Sequence, residues 1–372
     1  MIDNTGNIPY VNLKEQWKQE KEELQPIIER VLENGQYVGG EEVDSFEKNI
    51  AKYCNVKYAV ATNSGTDALI LALRAIGIKP GDHVITPPNS FVASTAAIVH
   101  LGATPIFVDV LEDQNINPEL IEEQITKKTK AILPVHLTGR IAGMEAILSI
   151  AESHNIPVVE DAAQAIGSRY FGKTSGSIGR VGCFSTHPLK NLNACGDGGF
   201  ITTNDESIYQ ETKILRNHGL VDRNTVTKFG TVSRMDVLQA TILNYRLTRI
   251  DNIVEARRKN ADFYMNHLNQ SFVFFPQEKP HEYNTYHTFV IQVRKRDELR
   301  NFLFNSGIDT AIHYPIPIHL QQAAKRYGYK IGDFPTTESQ ASSILSLPIH
   351  SYLSEDDLAK VSGAINSYVE NN

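Results

Sequence analysis

Lys190 stands in the polar turn Phe184-Ser185-Thr186-His187-Pro188-Leu189-Lys190-Asn191-Leu192, just ahead of the glycine-rich run Gly196-Asp197-Gly198-Gly199. Upstream, the apolar stretch Ile156-Pro157-Val158-Val159 runs into Glu160-Asp161-Ala162-Ala163-Gln164. An acid at the end of an apolar strand, followed by a lysine in a tight turn, suits pyridoxal phosphate. The lysine amine forms a Schiff base with the cofactor aldehyde, and the acid keeps the pyridine nitrogen protonated so that the ring draws electrons. A single lysine is ordinarily a solvated surface charge. Its surroundings are what give this one a chemical meaning.

Four further groups of residues belong to the same reading. Asn63-Ser64-Gly65-Thr66-Asp67-Ala68-Leu69 follows a strand and opens a helix. The amides of such a helix start carry partial positive charge, and a glycine lets the backbone approach a ligand, so Gly65 and Thr66 suit a phosphate; plain N-capping by Ser64 or Thr66 explains the same residues. Asp161 and Gln164 fall at the carboxyl end of a strand, the ligand-facing edge of an open α/β sheet, or form a helix cap. Ser185 can donate to the phosphate, while Lys190, once free of the cofactor, can move a proton between substrate and cofactor carbons; burial and a cationic ring would lower its pKa for that task. Phe91, after Thr86-Pro87-Pro88-Asn89-Ser90, can stack on a pyridine face or fill a core. The run Ala311-Ile312-His313-Tyr314-Pro315-Ile316-Pro317-Ile318-His319-Leu320 stiffens a loop bearing two histidines and a tyrosine, able to meet sugar hydroxyls or phosphates or simply to pack as a connection. Without a carboxylate or cysteine nearby at ligand spacing, it reads poorly as a metal site.

The elements that must hold these residues follow from periodicity. Helices are expected at residues 14–34 and 43–53. Apolar strands at 59–61, 83–86, 105–110, 131–135 and 157–160 then alternate with helical patterns at 66–76, 90–101, 118–124 and 144–153. That order implies βαβ units and a mainly parallel sheet covered on both faces. Strands at 182–185 and 200–203 follow, then a helix at 208–217 and one long helical pattern at 235–268. The remainder alternates strand and helix over 288–293, 296–305, 310–313, 337–344 and 355–368. A domain boundary is expected near residue 250, giving a large domain with an N-terminal helical arm (1–250) and a smaller C-terminal one (251–372).

Bulk properties exclude some alternatives. The 372 residues are 41% hydrophobic and 21% charged, an ordinary globular composition. A net charge of -7 argues against a general nucleic-acid binder. Cys54, Cys183 and Cys195 form no CxxC pair, which argues against a zinc site or disulfide framework and fits a reducing compartment. Residues 1–6 lack the charged and apolar regions of a secretory signal, and Pro, Asn, His and Asp interrupt every apolar stretch, so a cytoplasmic protein without membrane spans is expected.

In their order, these segments resemble the DegT/DnrJ/EryC1/StrS family of PLP-dependent sugar aminotransferases, within the aspartate aminotransferase fold (fold type I). The likeness begins at Gly35-Gln36-Tyr37-Val38-Gly39-Gly40, passes through SGTDALILALRAIGIKPGDHVITP, PVHLTG, EDAAQAIGSRY, FSTHPLKNLNACGDGG and LRNHG, and ends with HYPIPIHLQ and SILSLPIH. The resemblance implies an α/β fold with a mainly parallel, seven-stranded sheet and a smaller C-terminal α/β domain. It makes Lys190 the Schiff-base lysine, sets Asp161 on the pyridine nitrogen and Gln164 on the ring hydroxyl, gives the phosphate to Gly65, Thr66 and Ser185, and stacks Phe91 on the ring. It assigns Tyr37, His187, His313, Tyr314 and His319 to the substrate side. It also implies a homodimer with shared active sites, L-glutamate as amine donor and a keto sugar on a nucleotide as acceptor. Lysine at position 190 argues against the family's histidine-bearing dehydratases. KNL with GDGG resembles members that act on 3-keto sugars, pointing to a 3-keto-6-deoxyhexose on dTDP or UDP; a 4-keto sugar, a keto-cyclitol or a sugar phosphate are the alternatives, and a non-catalytic PLP-binding regulator is the other class. One departure stands out. The family often carries Asn-Ser-Arg where this chain has Val232-Ser233-Arg234, and the asparagine usually reaches the partner subunit's cofactor phosphate, a contact valine cannot make.

Overall fold

Short β-branched strands alternating with amphipathic helices fold as βαβ units. The computed structural model describes residues 7–371, so the expectation drawn from residues 1–6 lies outside it. Two helices, α1 (Leu13–Asn34) and α2 (Glu41–Tyr53), precede β1 (Tyr58–Thr62), α3 (Gly65–Ala75), β2 (His83–Thr86), α4 (Val92–His100), β3 (Thr104–Phe107), β4 (Thr129–Ile132), α5 (Met144–Ser153) and β5 (Val159–Asp161). A small hairpin, β6 (Arg169–Tyr170) and β7 (Lys173–Thr174), leads to β8 (Val181–Ser185), β9 (Gly199–Thr203) and α6 (Glu206–Leu215). Then come α7 (Val237–Leu247), α8 (Ile250–His267), β10 (Val273–Phe274), β11 (Glu282–Tyr283), β12 (Phe289–Val293), α9 (Arg296–Asn305), α10 (Pro335–Ser343), β13 (Ile344–Leu347) and α11 (Glu355–Asn371).

Strands β1-β9-β8-β5 and β3-β2-β4 form two ladders. The parallel bridges Ile132↔Val158 and Val135↔Asp161 join them into one seven-stranded sheet. The β3-β2, β2-β4 and β5-β8 pairs are parallel, and β9 alone runs antiparallel to both its neighbours. The mainly parallel sheet is therefore present. Helix α3 covers one face through Ala68, Leu69, Leu71, Ala72 and Leu73, while the other face meets Phe46, Ile50, Ala240 and Leu243 of α2 and α7. A second core lies under the antiparallel β10-β12-β13 sheet, where Leu299, Leu303, Leu345, Val361 and Ile365 pack. Helix α8 serves both, with Val254 in the first core and Ala261 and Tyr264 in the second, and Ile8 returns from the N-terminal side into the second.

Several elements differ from expectation. The pattern over 235–268 is two helices: α7 ends at Leu247, capped by Thr248, whose hydroxyl donates to the Tyr245 carbonyl at 2.8 Å, and α8 restarts at Ile250 after Arg249. Hydrophobic periodicity does not report a two-residue turn that interrupts the helix. Residues 118–124 form two 3₁₀ turns instead of an α-helix, and 310–313 contributes one bridge, Ala311↔Ser346, instead of a strand. Cys54 and Cys183 are buried, Cys195 is exposed, and none is in a disulfide. Among the described residues no group of side chains could hold a metal ion, and no helix is long and apolar enough to cross a membrane.

A buried ion pair ties α1 to α7 and to the lysine turn. Arg246 Nε and Nη2 donate to Glu20 Oε2 at 3.0 and 2.7 Å, and its Nη1 donates to the Asn193 carbonyl at 2.8 Å. Both side chains are buried. Replacing Arg246 with Met leaves the Glu20 carboxylate uncompensated, a loss of about 3–5 kcal/mol. The expected readout is a lower urea midpoint at unchanged slope.

Candidate active site

The carboxyl ends of the parallel strands open onto a cavity of ≈ 390 Å³. Gly65, Thr66, Phe91, Asp161, Gln164, Ser185, His187, Lys190, His313 and Tyr314 all line it, so ten residues singled out in the sequence meet in one space.

Lys190 is placed by a short turn. Its amide donates to the His187 carbonyl at 2.8 Å, and the Ala194 amide closes the loop onto the Thr186 carbonyl at 2.7 Å. Side chains then pin the turn from outside: Asn193 exchanges hydrogen bonds with Gln16 of α1 at 2.9 and 3.0 Å, and Asn191 Nδ2 donates to the Thr285 carbonyl at 3.1 Å. Burial pulls the Lys190 ammonium down from 10.5 to about 8, with Asp161 opposing the shift. Below that value the neutral, nucleophilic fraction grows tenfold per pH unit; above it the fraction saturates. The rate at which cofactor-free protein captures pyridoxal phosphate is therefore expected to climb up to about pH 8 and then level off, as followed by stopped-flow absorbance. An unperturbed lysine would keep climbing towards 10.5.

Asp161 ends β5 and is almost fully buried. Its Oδ2 accepts from Ser94 Oγ of α4 at 2.6 Å and its Oδ1 from the Ala163 amide at 3.2 Å. Burial raises its pKa, and these two hydrogen bonds oppose the rise. The preceding residue, Glu160, fixes the strand end. Its carboxylate accepts from His136 Nε2 at 2.8 Å and from the amides of Gly176, Ile178 and Gly179 at 2.8, 2.8 and 2.6 Å. Gln164 Oε1 accepts from the Thr138 amide at 2.8 Å, which orients its side chain at the cavity edge.

Two glycines bring the α3 N-terminus against the β8–β9 pair. A Cβ on Gly65 would lie 2.6 Å from Ser185 Cβ, and one on Gly199 would lie 2.5 Å from the Ser64 carbonyl. Ser64 caps the helix by accepting from the Asp67 amide at 3.1 Å. The first-turn amides, which have no intrahelical acceptor, form a cradle beside Ser185 suited to a phosphate. With a carboxylate and a lysine facing the same cavity, the donor set fits pyridoxal phosphate: anion cradle, pyridinium partner and aldehyde-reactive amine.

Phe91 is exposed at the cavity mouth, its ring centroid 5.8 Å from that of Tyr314. His313 Nδ1 lies 2.8 Å from Ser346 Oγ, and burial lowers its pKa to about 4, so it is neutral at pH 7. Two expected residues lie elsewhere. His319 is buried, its Nε2 3.0 Å from Glu338 Oε1 and its ring edge-on to Phe334, so this hydrogen bond and ring contact hold it away from the cavity. Tyr37 is exposed outside the cavity, its hydroxyl 3.4 Å from the Leu32 carbonyl. Val232 is also exposed, while Ser233 Oγ donates to Asn63 Oδ1 at 3.3 Å.

The sequence reading missed Tyr10, Asp197, Arg257, His287 and His350, all of which line the cavity. Asp197 sits in the glycine-rich run already noted. The others come from elements far away in sequence, and no local motif marks them.

The family model described as the DegT/DnrJ/EryC1/StrS aminotransferase family matches residues 18–366. A "pleiotropic regulatory protein" of Geobacillus stearothermophilus is 40% identical, over 94% of this chain and 95% of its own length. The dTDP-3-amino-3,6-dideoxy-alpha-D-galactopyranose transaminase of Aneurinibacillus thermoaerophilus is 41% identical, over 97% of this chain and 99% of its own. The crystal structure of S. venezuelae DesV in complex with a ketimine intermediate superposes with a TM-score of 0.96 at 40% identity, covering 98% of this chain and 99% of that one. Solved relatives carry the pyridoxal or pyridoxamine form of the cofactor, in agreement with the donor set above. The chain belongs to the DegT/DnrJ/EryC1/StrS aminotransferase family, and pyridoxal phosphate is its cofactor.

Proposed function

We propose that this protein moves an amino group from L-glutamate to a keto sugar carried on a nucleoside diphosphate, namely the C3 ketone of a 6-deoxyhexose on dTDP or UDP. The observation that carries the reading is the convergence of Lys190, Asp161 and the α3 N-terminus on one cavity. The 3-amino sugar transaminase at 41% identity supports the choice of ring carbon.

The cofactor supplies an electron sink and an aldehyde. The chain supplies the rest. The α3 amides and Ser185 would hold the phosphate. Asp161, kept in place by Ser94 and the Ala163 amide, would hold the pyridine nitrogen and favour its protonated form. Lys190 Nζ, with its pKa lowered to about 8, would take the proton from the donor α-carbon and later return one to the sugar carbon. Neutral His313 leaves that basicity undisturbed. Phe91 and Tyr314 narrow the mouth against water.

On this reading the protein works in the cytoplasm as a homodimer, with the chain divided near residue 250 and with exposed Tyr37, Val38 and Leu189 at the subunit contact. Val232 then removes one hydrogen bond to the partner's cofactor phosphate. The relative named as a regulatory protein favours a second reading, cofactor binding without turnover. Adding L-glutamate to the loaded protein separates the two. A transaminase converts the near-visible band to the pyridoxamine form, whereas a regulator leaves it unchanged. Protection against heat by dTDP or UDP tests the nucleotide.

A further inference from the structure

Four arginines are buried among the described residues: Arg140, Arg246, Arg257 and Arg296. Three of them meet a carboxylate, Arg140 with Glu282 at 2.5 Å, Arg246 with Glu20 at 2.7 Å and Arg296 with Asp297 at 2.7 Å. Arg257 of α8 meets none. Its Nη1 donates to the carbonyls of Tyr286 and His287, both at 3.1 Å, and its buried Nε has no partner. A cation withdrawn from water and left without a counter-charge is costly, and arginine presents planar paired donors matched to a carboxylate.

This side chain lines the same cavity as Lys190. His287 lines it too, with a buried Nδ1 that also lacks a partner. Two unsatisfied polar atoms therefore mark one wall, on the α8 side, whereas the phosphate cradle belongs to α3 and β8. The pull that the other buried arginines receive from Glu or Asp is left here to whatever enters the cavity.

We propose that Arg257 anchors a carboxylate of the amine donor, with His287 beside it as a neutral hydrogen-bonding partner. The assignment rests on the transaminase reading and adds to it the group that recognises an amino acid. It gives one cavity separate places for an amino acid and for a sugar: the donor is gripped by charge at the inner wall, and the acceptor approaches past Phe91 and Tyr314.

The test compares two amines on cofactor-loaded protein, L-glutamate and n-propylamine, the second lacking any carboxylate. In Arg257→Gln the L-glutamate concentration for half-maximal spectral conversion is expected to rise about 10- to 150-fold. The reaction of n-propylamine with the same band should stay within about twofold, and Arg257→Lys should recover part of the loss. An equal loss for both amines would show that Arg257 only supports the fold, and no loss with L-glutamate would overturn the anchor outright. Glutarate binding to cofactor-free protein, read as a rise in melting temperature, is independent of turnover. It should stabilise the wild type and not Arg257→Gln, and equal stabilisation of both sinks the proposal. A wild type that binds glutarate through Arg257 yet shows no spectral response to L-glutamate would refute the transaminase reading alone.

Discussion

Lys190→Ala is expected to abolish transamination, with a loss of about 10⁴-fold or more, because general acid–base transfer alone contributes about 10²–10⁴ and the covalent attachment is lost as well. The backbone of the turn does not depend on the side chain. The Lys190 amide still reaches the His187 carbonyl, and Asn191 and Asn193 still pin the flanks. The variant should therefore fold, and removing a buried amine whose burial disfavours its charge should not weaken it. Three readings decide the outcome: steady-state turnover, the near-visible absorbance of the loaded protein, and borohydride trapping of the cofactor on the chain. The wild type should retain the label at position 190 after reduction and the variant should not. Turnover by Lys190→Ala near the wild-type rate would remove the foundation of the functional reading.

The contrast between Lys190 and Arg257 shows what a sequence reveals. Lys190 was legible because its neighbours are local: a polar turn, a preceding strand and following glycines, each dictated by short-range chemistry. Asp161 and the α3 start were legible for the same reason, since strand ends and helix starts in α/β sheets face ligands. Arg257 lies in Glu255-Ala256-Arg257-Arg258-Lys259, a run that reads as a solvated helix face. Only the packing of α8 against the 284–288 segment buries one of its cations, while the adjacent Arg258 finds Glu278 at 2.8 Å. Tyr10 and His350 were invisible in the same way, because the cavity gathers them from opposite ends of the chain. His319 failed in the other direction. Its segment runs past the site, but Glu338 and Phe334 capture the ring. The seven-stranded sheet followed from strand alternation, whereas the break between α7 and α8 depends on tertiary packing that periodicity does not encode.

Asp161→Asn carries the second large effect, and it tests electrostatics apart from shape. The two side chains have the same outline, and the amide oxygen can still accept from Ser94 or the Ala163 amide, whose bonds now fix the carboxylate at 2.6 and 3.2 Å. What disappears is a negative charge in a buried position. A fixed charge aimed at a developing one in a water-poor site is worth about 10²–10³ in rate, so proton removal from the donor carbon should slow by that factor. Cofactor attachment, which needs Lys190 and the α3 cradle, should survive. The expected pattern is thus a variant with a near-normal cofactor content and a slow spectral response to L-glutamate. The Asp161 charge also helps hold a proton on Lys190, because it opposes the burial that brings the lysine to about 8. Its removal should move the plateau of the cofactor-capture profile to lower pH. Unchanged conversion with L-glutamate, or a plateau moved upward, would mean that Asp161 does not act on the cavity as a charge, and the roles given to α4, through Ser94, and to the end of β5 would fall with it.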